Sequence, residues 1–251
     1  MTAVQGTPVE IGTGDGSADA RLAHPADGRP RPAVLLWPDA FGPRPSLDAM
    51  ADRLAGAGYT VLVPNALYRS GRAPVVELPG FIDPAARPDL LGRLRPAMRA
   101  LTPGMAVRDA GAHLRWLAEC PVAAGDRVAV VGYCMGAALA LRTAGAFPRR
   151  VAAVAGFHGG NLATDEPDSP HLAVRDLTAE VYFGHADEDP SLPPEQRERL
   201  AAALAAARVP HHCEVYAGAR HGFTQADTAA YDEAAAERHW AALLGLLGRT
   251  L

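Results

Sequence analysis

The 251-residue chain contains no lysine, so all 24 of its basic side chains are arginines, set against 28 acidic ones for a net charge of −4. These arginines are scattered among Asp and Glu without forming a basic block, which argues against nucleic acid as a partner. Cysteine is scarce. Cys120, Cys134 and Cys213 are too few and too far apart for a disulfide framework or a zinc knuckle, and their odd number leaves at least one thiol free. No apolar run approaches the ~20 residues of a membrane span. The stretch from Met1 to Ser17 is polar and Gly-rich, with no basic start followed by an apolar segment, so a cytoplasmic protein without membrane attachment is expected.

What is present describes a single globular domain over residues 1–251. Hydrophobic residues make up 49% and charged residues 21%, and a chain this long buries roughly 70–75% of its unfolded surface without needing a metal or a disulfide.

Short apolar runs alternate with longer segments of helical period, the pattern of strands and crossover helices in a mostly parallel α/β sheet with helices on both faces. Strands are expected at Ala33 to Trp37, Thr60 to Val63, Arg127 to Val131, Val151 to Phe157, Glu180 to Phe183 and His212 to Tyr216. Most lack polar alternation, as strands covered on both faces should. Ser46 can cap a helix carrying Leu47, Met50 and Leu54, which ends at Gly56 and Gly58. Two more apolar stripes follow: Val107, Ala110, Leu114 and Leu117, then Trp240, Leu243, Leu244 and Leu247. Between Ala66 and Pro103, Pro74, Pro79, Pro84, Pro88, Pro96 and Pro103 break the pattern, which reads as loops and short helices over one end of the sheet. Val9 to Ile11 reads as an edge strand leading into a hairpin.

The chemistry concentrates at Val128-Ala-Val-Val-Gly132-Tyr133-Cys134-Met135-Gly136, an apolar strand turning directly into Ala- and Leu-rich helical sequence. Gly-x-Cys-x-Gly at such a turn is the layout of a nucleophile elbow, in which side chains at the two glycine positions would collide with the neighbouring backbone. The turn also sets the thiol at a helix N-terminus, which favours an anion. A cysteine nucleophile needs a base and an orienting acid, here expected in the order nucleophile, acid, histidine. Asp187, after the Glu180 strand, is the expected acid, with Asp189 the competing position; His221, in Gly218-Ala-Arg-His-Gly-Phe223, is the expected base. His158, His185, His211 and His212 read as packing or surface residues. Trp37-Pro-Asp39-Ala40-Phe41-Gly42 follows an early strand, so the backbone N–H groups of Ala40 and Met135 are the candidate oxyanion donors.

Together these turns resemble the dienelactone hydrolase family of α/β-hydrolases, over nearly the whole chain from Ala33 to Leu247. The resemblance implies a three-layer α/β-hydrolase fold, no cofactor or metal, and a Cys–His–Asp triad that opens a small ester or lactone through a covalent acyl-enzyme. It also implies that a carboxylate on the first turn contacts the resting thiol; Asp39 occupies that position, where the family usually has Glu. Phe41, Tyr133 and Arg69 are the further candidates for contact with the thiol or substrate. The dienelactone-cleaving members carry an arginine four residues after the histidine to grip the substrate carboxylate. Here that residue is Gln225, so a clamp would have to come from Arg69, Arg72, Arg87, Arg93, Arg95 or Arg99. The expected partner is a small-molecule ester or lactone; oligomeric state is left open, a monomer being sufficient. The competing reading is a hydrolase-like fold kept for small-molecule binding with negligible turnover.

Overall fold

A computed structural model describes residues 2–83, 86 and 89–251. Among them, eight strands form one sheet: β1 (Val4–Thr13), β2 (Gly16–Pro25), β3 (Arg31–Trp37), β4 (Thr60–Pro64), β5 (Ala123–Tyr133), β6 (Val151–Phe157), β7 (Glu180–Ala186) and β8 (His211–Tyr216). The spatial order is β1-β2-β4-β3-β5-β6-β7-β8. Only the β1–β2 hairpin and its junction with β4 are antiparallel; every pairing from β4 through β3 to β8 is parallel. The apolar runs explain the parallel part, since β3, β4, β6 and β7 are buried along almost their whole length and could not face water on either side.

The helices are α1 (Pro45–Gly56), α2 (Asp89–Ala100), α3 (Pro103–Glu119), α4 (Met135–Ala146), α5 (Pro194–Ala206) and α6 (Glu233–Thr250). Alternate strand residues feed two core layers. Leu35, Leu62, Val130, Val154 and Phe183 pack with α3, α4 and α5, whereas Val34, Val61, Val131, Ala155 and Tyr182 pack with α1 and α6. Helices therefore cover both faces of the sheet. None of the described helices is long and apolar enough to cross a membrane.

The expected edge strand and hairpin are present as β1 and β2. Ser46 is not a cap: α1 starts one residue earlier, with Arg44 at the N-cap and Pro45 at the first position, where its fixed φ suits a helix. The Pro-rich stretch holds a short 3-10 helix at Tyr68–Ser70 and the twelve-residue α2, which tolerates Pro96 within it and buries Leu90 and Leu94. Pro84, Pro88 and Arg87 lie outside the described residues.

The parallel register aligns the strand ends that matter. Trp37 pairs with Gly132, Tyr133 with Phe157 and Phe157 with Gly184, so the turns after β3, β5, β6 and β7 open side by side at one edge.

Beneath that edge the core buries neutral histidines. His239 Nδ1 lies 2.8 Å from the Ala236 carbonyl and so carries the proton, which leaves Nε2 to accept from the Tyr133 hydroxyl at 2.9 Å. His113 stands edge-on to Trp37 with neither ring nitrogen bonded. Burial drives His113 down to about 4 and His239 to about 3. Unfolded histidines titrate near 6.5, so between about pH 6.5 and pH 4 the unfolded chain binds protons that the folded chain refuses. Their contribution is complete above pH 6.5 and lost as the pH falls. The melting temperature is therefore expected to drop between pH 7 and pH 5, and His113→Leu to flatten that drop; equal drops in the two proteins would contradict this origin.

Candidate active site

Backbone contact builds the elbow. A Cβ on Gly132 would sit 2.0 Å from the Gly136 carbonyl oxygen, and one on Gly136 would sit 2.4 Å from the carbonyl oxygen of Trp37. Neither obstacle is a flexible side chain, so only glycine allows β5, the turn and β3 to approach this closely. Between the two glycines Cys134 is held at φ 54° and ψ −116°, a conformation an L-residue adopts only under constraint.

His221 Nε2 lies 3.0 Å from Cys134 Sγ, and His221 Nδ1 lies 2.6 Å from Asp189 Oδ2. Asp189 is almost wholly buried; its other oxygen, Oδ1, accepts from the Ser191 hydroxyl at 2.6 Å and the Ser191 amide at 2.9 Å. The Ser191 hydroxyl is also 3.3 Å from His221 Nδ1. Burial works against a charge on either partner. For Asp189 the hydrogen bonds from His221 and Ser191 outweigh it and hold the carboxyl below its ordinary range. For His221 the interactions with Cys134 and Asp189 outweigh it and hold the imidazolium up to about 10.

Asp187, the acid expected from sequence, does not reach His221. Its oxygens accept from the amides of Glu188 and Gly218, which ties the end of β7 to the turn after β8. Glu188 then takes φ 45°, and this left-handed residue reverses the chain so that the next carboxylate, Asp189, meets the imidazole.

The Ala40 and Met135 amides have no acceptor among the described residues, and both residues line the same cavity as Cys134. Met135 opens α4, where a backbone N–H lacks an intrahelical partner. Asp39 also lines the cavity, but no hydrogen bond joins it to Cys134. Arg44 Nη1 and Nη2 donate to its two oxygens at 2.8 and 2.9 Å, and Asp39 Oδ1 also accepts from the Phe41 amide. The same guanidinium pairs with Asp227 at 2.6 Å and reaches Gln225 Oε1 at 3.3 Å. Burial opposes the Arg44 charge, yet Asp39 and Asp227 outweigh it and raise the group above its ordinary pKa.

The cavity, about 770 Å³, is roofed by Leu91 and Met98 of α2 and walled by Phe41, Met135 and Ala138. Two expected contacts are absent from it. Tyr133 is fully buried, its ring stacked on Phe157 on the α6 side, because a residue preceding the turn still obeys the strand alternation that points it away from the cavity. Arg69 is bound to Asp109 at 2.7 Å and to Asp15 at 2.7 Å, a support for the loop after β4. Of the other proposed arginines among the described residues, Arg72 pairs with Glu10 and only Arg95 reaches the cavity wall.

Four site residues escaped the sequence reading. Ser191 looks like a turn residue before α5, and Arg44 like an isolated charge between prolines. Arg142 looks like the solvated side of a helix. His158 reads as packing, yet it lines the cavity, stands edge-on to His221 at 5.3 Å, and holds Thr224 Oγ1 at 2.7 Å. The signal available for His158 was its place directly after β6, at the functional edge of the sheet.

The chain matches the Dienelactone hydrolase family over residues 18–251. A Bradyrhizobium protein provisionally named as a 2-oxo-3-(5-oxofuran-2-ylidene)propanoate lactonase is 27% identical over 238 residues, covering 92% of this chain and 89% of that one. The carboxymethylenebutenolidase of Rhodococcus opacus is 28% identical over 191 residues, covering 76% and 69%. In three dimensions, a Klebsiella pneumoniae chain provisionally described as a dienelactone hydrolase superposes with a TM-score of 0.83 at 22% identity, over 98% of this chain and 99% of that one. A close-packed elbow after β5, a histidine after β8, one mostly parallel sheet between two helical layers and a family match over almost the full length lead to one conclusion: this chain is a hydrolase of the dienelactone hydrolase family, with the α/β-hydrolase fold.

Proposed function

We propose that this hydrolase opens small esters or lactones through a thioester on Cys134, with His221 as acid and base and Asp189 as its orienting carboxylate. One observation carries the reading: the unbroken line from Asp189 Oδ2 to His221 Nδ1 at 2.6 Å and from His221 Nε2 to Cys134 Sγ at 3.0 Å. The names of the relatives, a lactonase and a carboxymethylenebutenolidase, support the substrate class. Membership of the family, a triad-like line and a cavity at the nucleophile favour turnover over a binding role.

In the first half of the reaction the Cys134 sulfur, its proton held by His221 Nε2, bonds to the carbonyl carbon. The oxyanion that forms lies against the amides of Ala40 and Met135. As the carbon–oxygen ester bond breaks, His221 gives its proton to the leaving oxygen. In a lactone this oxygen stays tethered to the acyl group. Water then attacks the thioester while His221 Nε2 takes its proton; breakage of the carbon–sulfur bond returns the acid and the Cys134–His221 pair. No step calls on a metal or an organic cofactor.

Because His221 keeps its proton up to about 10, the alkaline fall of kcat/KM for an alkyl ester should lie near that pH in the native enzyme. Asp189→Asn removes a charge and a hydrogen bond that favour the imidazolium, so the fall should move to lower pH and the rate should drop by roughly 10²–10⁴-fold. Asp187→Asn should leave the profile where it is. An unshifted profile in Asp189→Asn, or a shift in Asp187→Asn instead, would contradict the assignment of the acid.

Beside Asp39 the Arg44 guanidinium is saturated by two carboxylates and Gln225 is bound to both Arg44 and Thr224, so neither offers a free cation to a group next to the scissile carbonyl; among the described residues the other arginines that line the cavity are Arg95 on α2 and Arg142 on α4. An ester with a carboxylate directly beside its scissile carbonyl should therefore react no faster than its neutral analogue, with a ratio indifferent to salt. Faster hydrolysis of the acid, fading as salt rises, would show a cationic grip at that point.

A further inference from the structure

The strongly held arginines of this protein are matched to carboxylates. Arg44 has two, Arg69 has two, and Arg21, Arg53 and Arg249 have at least one each. Arg142 is different. It is half-buried in the wall of the cavity that holds Cys134, and no carboxylate lies within ion-pair distance of it among the described residues. Its only hydrogen bond among the described residues is from Nη2 to the backbone carbonyl of Asp168, so most of its five donors are unused there. Burial lowers its pKa despite the nearby Asp168 charge, the reverse of what the paired Arg44 shows. Glu166 and Asp168 stand at the same rim with exposed side chains, and neither forms an ion pair with this guanidinium.

The position of Arg142 gives the distance. Met135, Ala138 and Arg142 stand at i, i+3 and i+7 along α4, so they share one helix face, and all three line the cavity that holds Cys134 at the helix N-cap. The seven residues of rise from Met135 to Arg142 are about 10 Å, which puts the guanidinium roughly 10 Å along the cavity wall from the end of α4 that carries the reacting sulfur. Direction follows from the triad. A leaving oxygen must face His221 Nε2, which occupies the side of the cavity formed by Gly222 and Gln225, so the acyl portion extends along α4. That path runs past Met135, Ala138 and Met98, with Arg95 of α2 on the same wall as Met98, and ends at Arg142 on α4.

Resting on the hydrolytic reading of the site, we propose that Arg142 is a specificity residue that receives a second, terminal carboxylate at the far end of the acyl chain. The preferred substrates are then monoesters or lactones of medium-length dicarboxylic acids, with an apolar spacer that carries the free acid to Arg142. The two ends of the cavity sort substrates in opposite senses: an acid beside the reacting carbonyl gains nothing, and an acid about 10 Å away is held by a charge-assisted, two-pronged contact.

The test is a series of para-nitrophenyl monoesters of dicarboxylic acids of increasing length, each assayed beside its twin with the far acid capped as a methyl ester. The ratio of kcat/KM for acid over capped twin should be near one for the shortest member. It should rise to about ten-fold at the spacer that reaches Arg142 and shrink as salt is added. Arg142→Met should flatten the ratio at every length, and Arg142→Lys should keep part of it. Because the ratio is taken within one protein, altered folding or turnover cancels. A flat series in the native enzyme, or a peak that survives in Arg142→Met, overturns the proposal. Cys134→Ala separates the two levels: if it still hydrolyses the capped esters, the catalytic reading has failed, whatever the chain-length series shows.

Discussion

The site depends on a contact between backbones. With 2.0 Å between a notional Gly132 Cβ and the Gly136 carbonyl oxygen, β5 and the first turn of α4 are as close as polypeptide allows. That approach forces Cys134 into its left-handed conformation, turns Met135 and its unbonded amide toward the cavity, and starts α4 along the cavity wall. Cys134, the Met135 amide and the line of side chains leading to Arg142 thus share one cause. The strain at Cys134 is borne by its surroundings: Gly132 is hydrogen-bonded within the sheet between β3 and β6, and the Tyr133 hydroxyl is anchored on His239 of α6.

Electrostatics then distinguishes the parts of the site. Two buried acids, Asp39 and Asp189, stand close to the Cys134–His221 pair, and each is neutralised differently. Asp39 is bound on both oxygens by Arg44, which leaves it as a structural brace for the turn that presents the Ala40 amide. Asp189 is held by Ser191 and His221, and its charge is directed at the imidazole. His158, fully buried with a pKa well below 6.5, sets a neutral ring against His221 and adds no competing proton. The negative charge that could have raised the cost of a thiolate is therefore cancelled at Asp39 and put to use at Asp189.

Much of this was legible in the residues. The apolar strands, the elbow glycines and His221 follow from patterns of period, composition and turn chemistry, which local sequence encodes. Val151 to Phe157 was recognised to the residue because an all-apolar run between turns has few alternatives. The errors arise where tertiary contact decides. Asp187 and Asp189 differ only in which side of the left-handed Glu188 they fall, and nothing local marks a glutamate for that conformation. Tyr133 and Arg69 were credited with substrate contact from nearness in sequence, but strand alternation sends the first to the opposite face and Asp109, forty residues away, claims the second. Arg44 pairs across the fold with Asp227, a contact no spacing reveals.

The proposed catalysis turns on whether an acyl group is carried as a thioester on Cys134. Rapid quenching of the enzyme with a slow ester, followed by intact-mass analysis and peptide mapping, measures it directly. The expected result is a transient mass increase equal to the acyl group, located on the peptide that carries Cys134 and absent from those of Cys120 and Cys213. Sustained hydrolysis with no acyl adduct at any time point, or with the adduct on another residue, would contradict it.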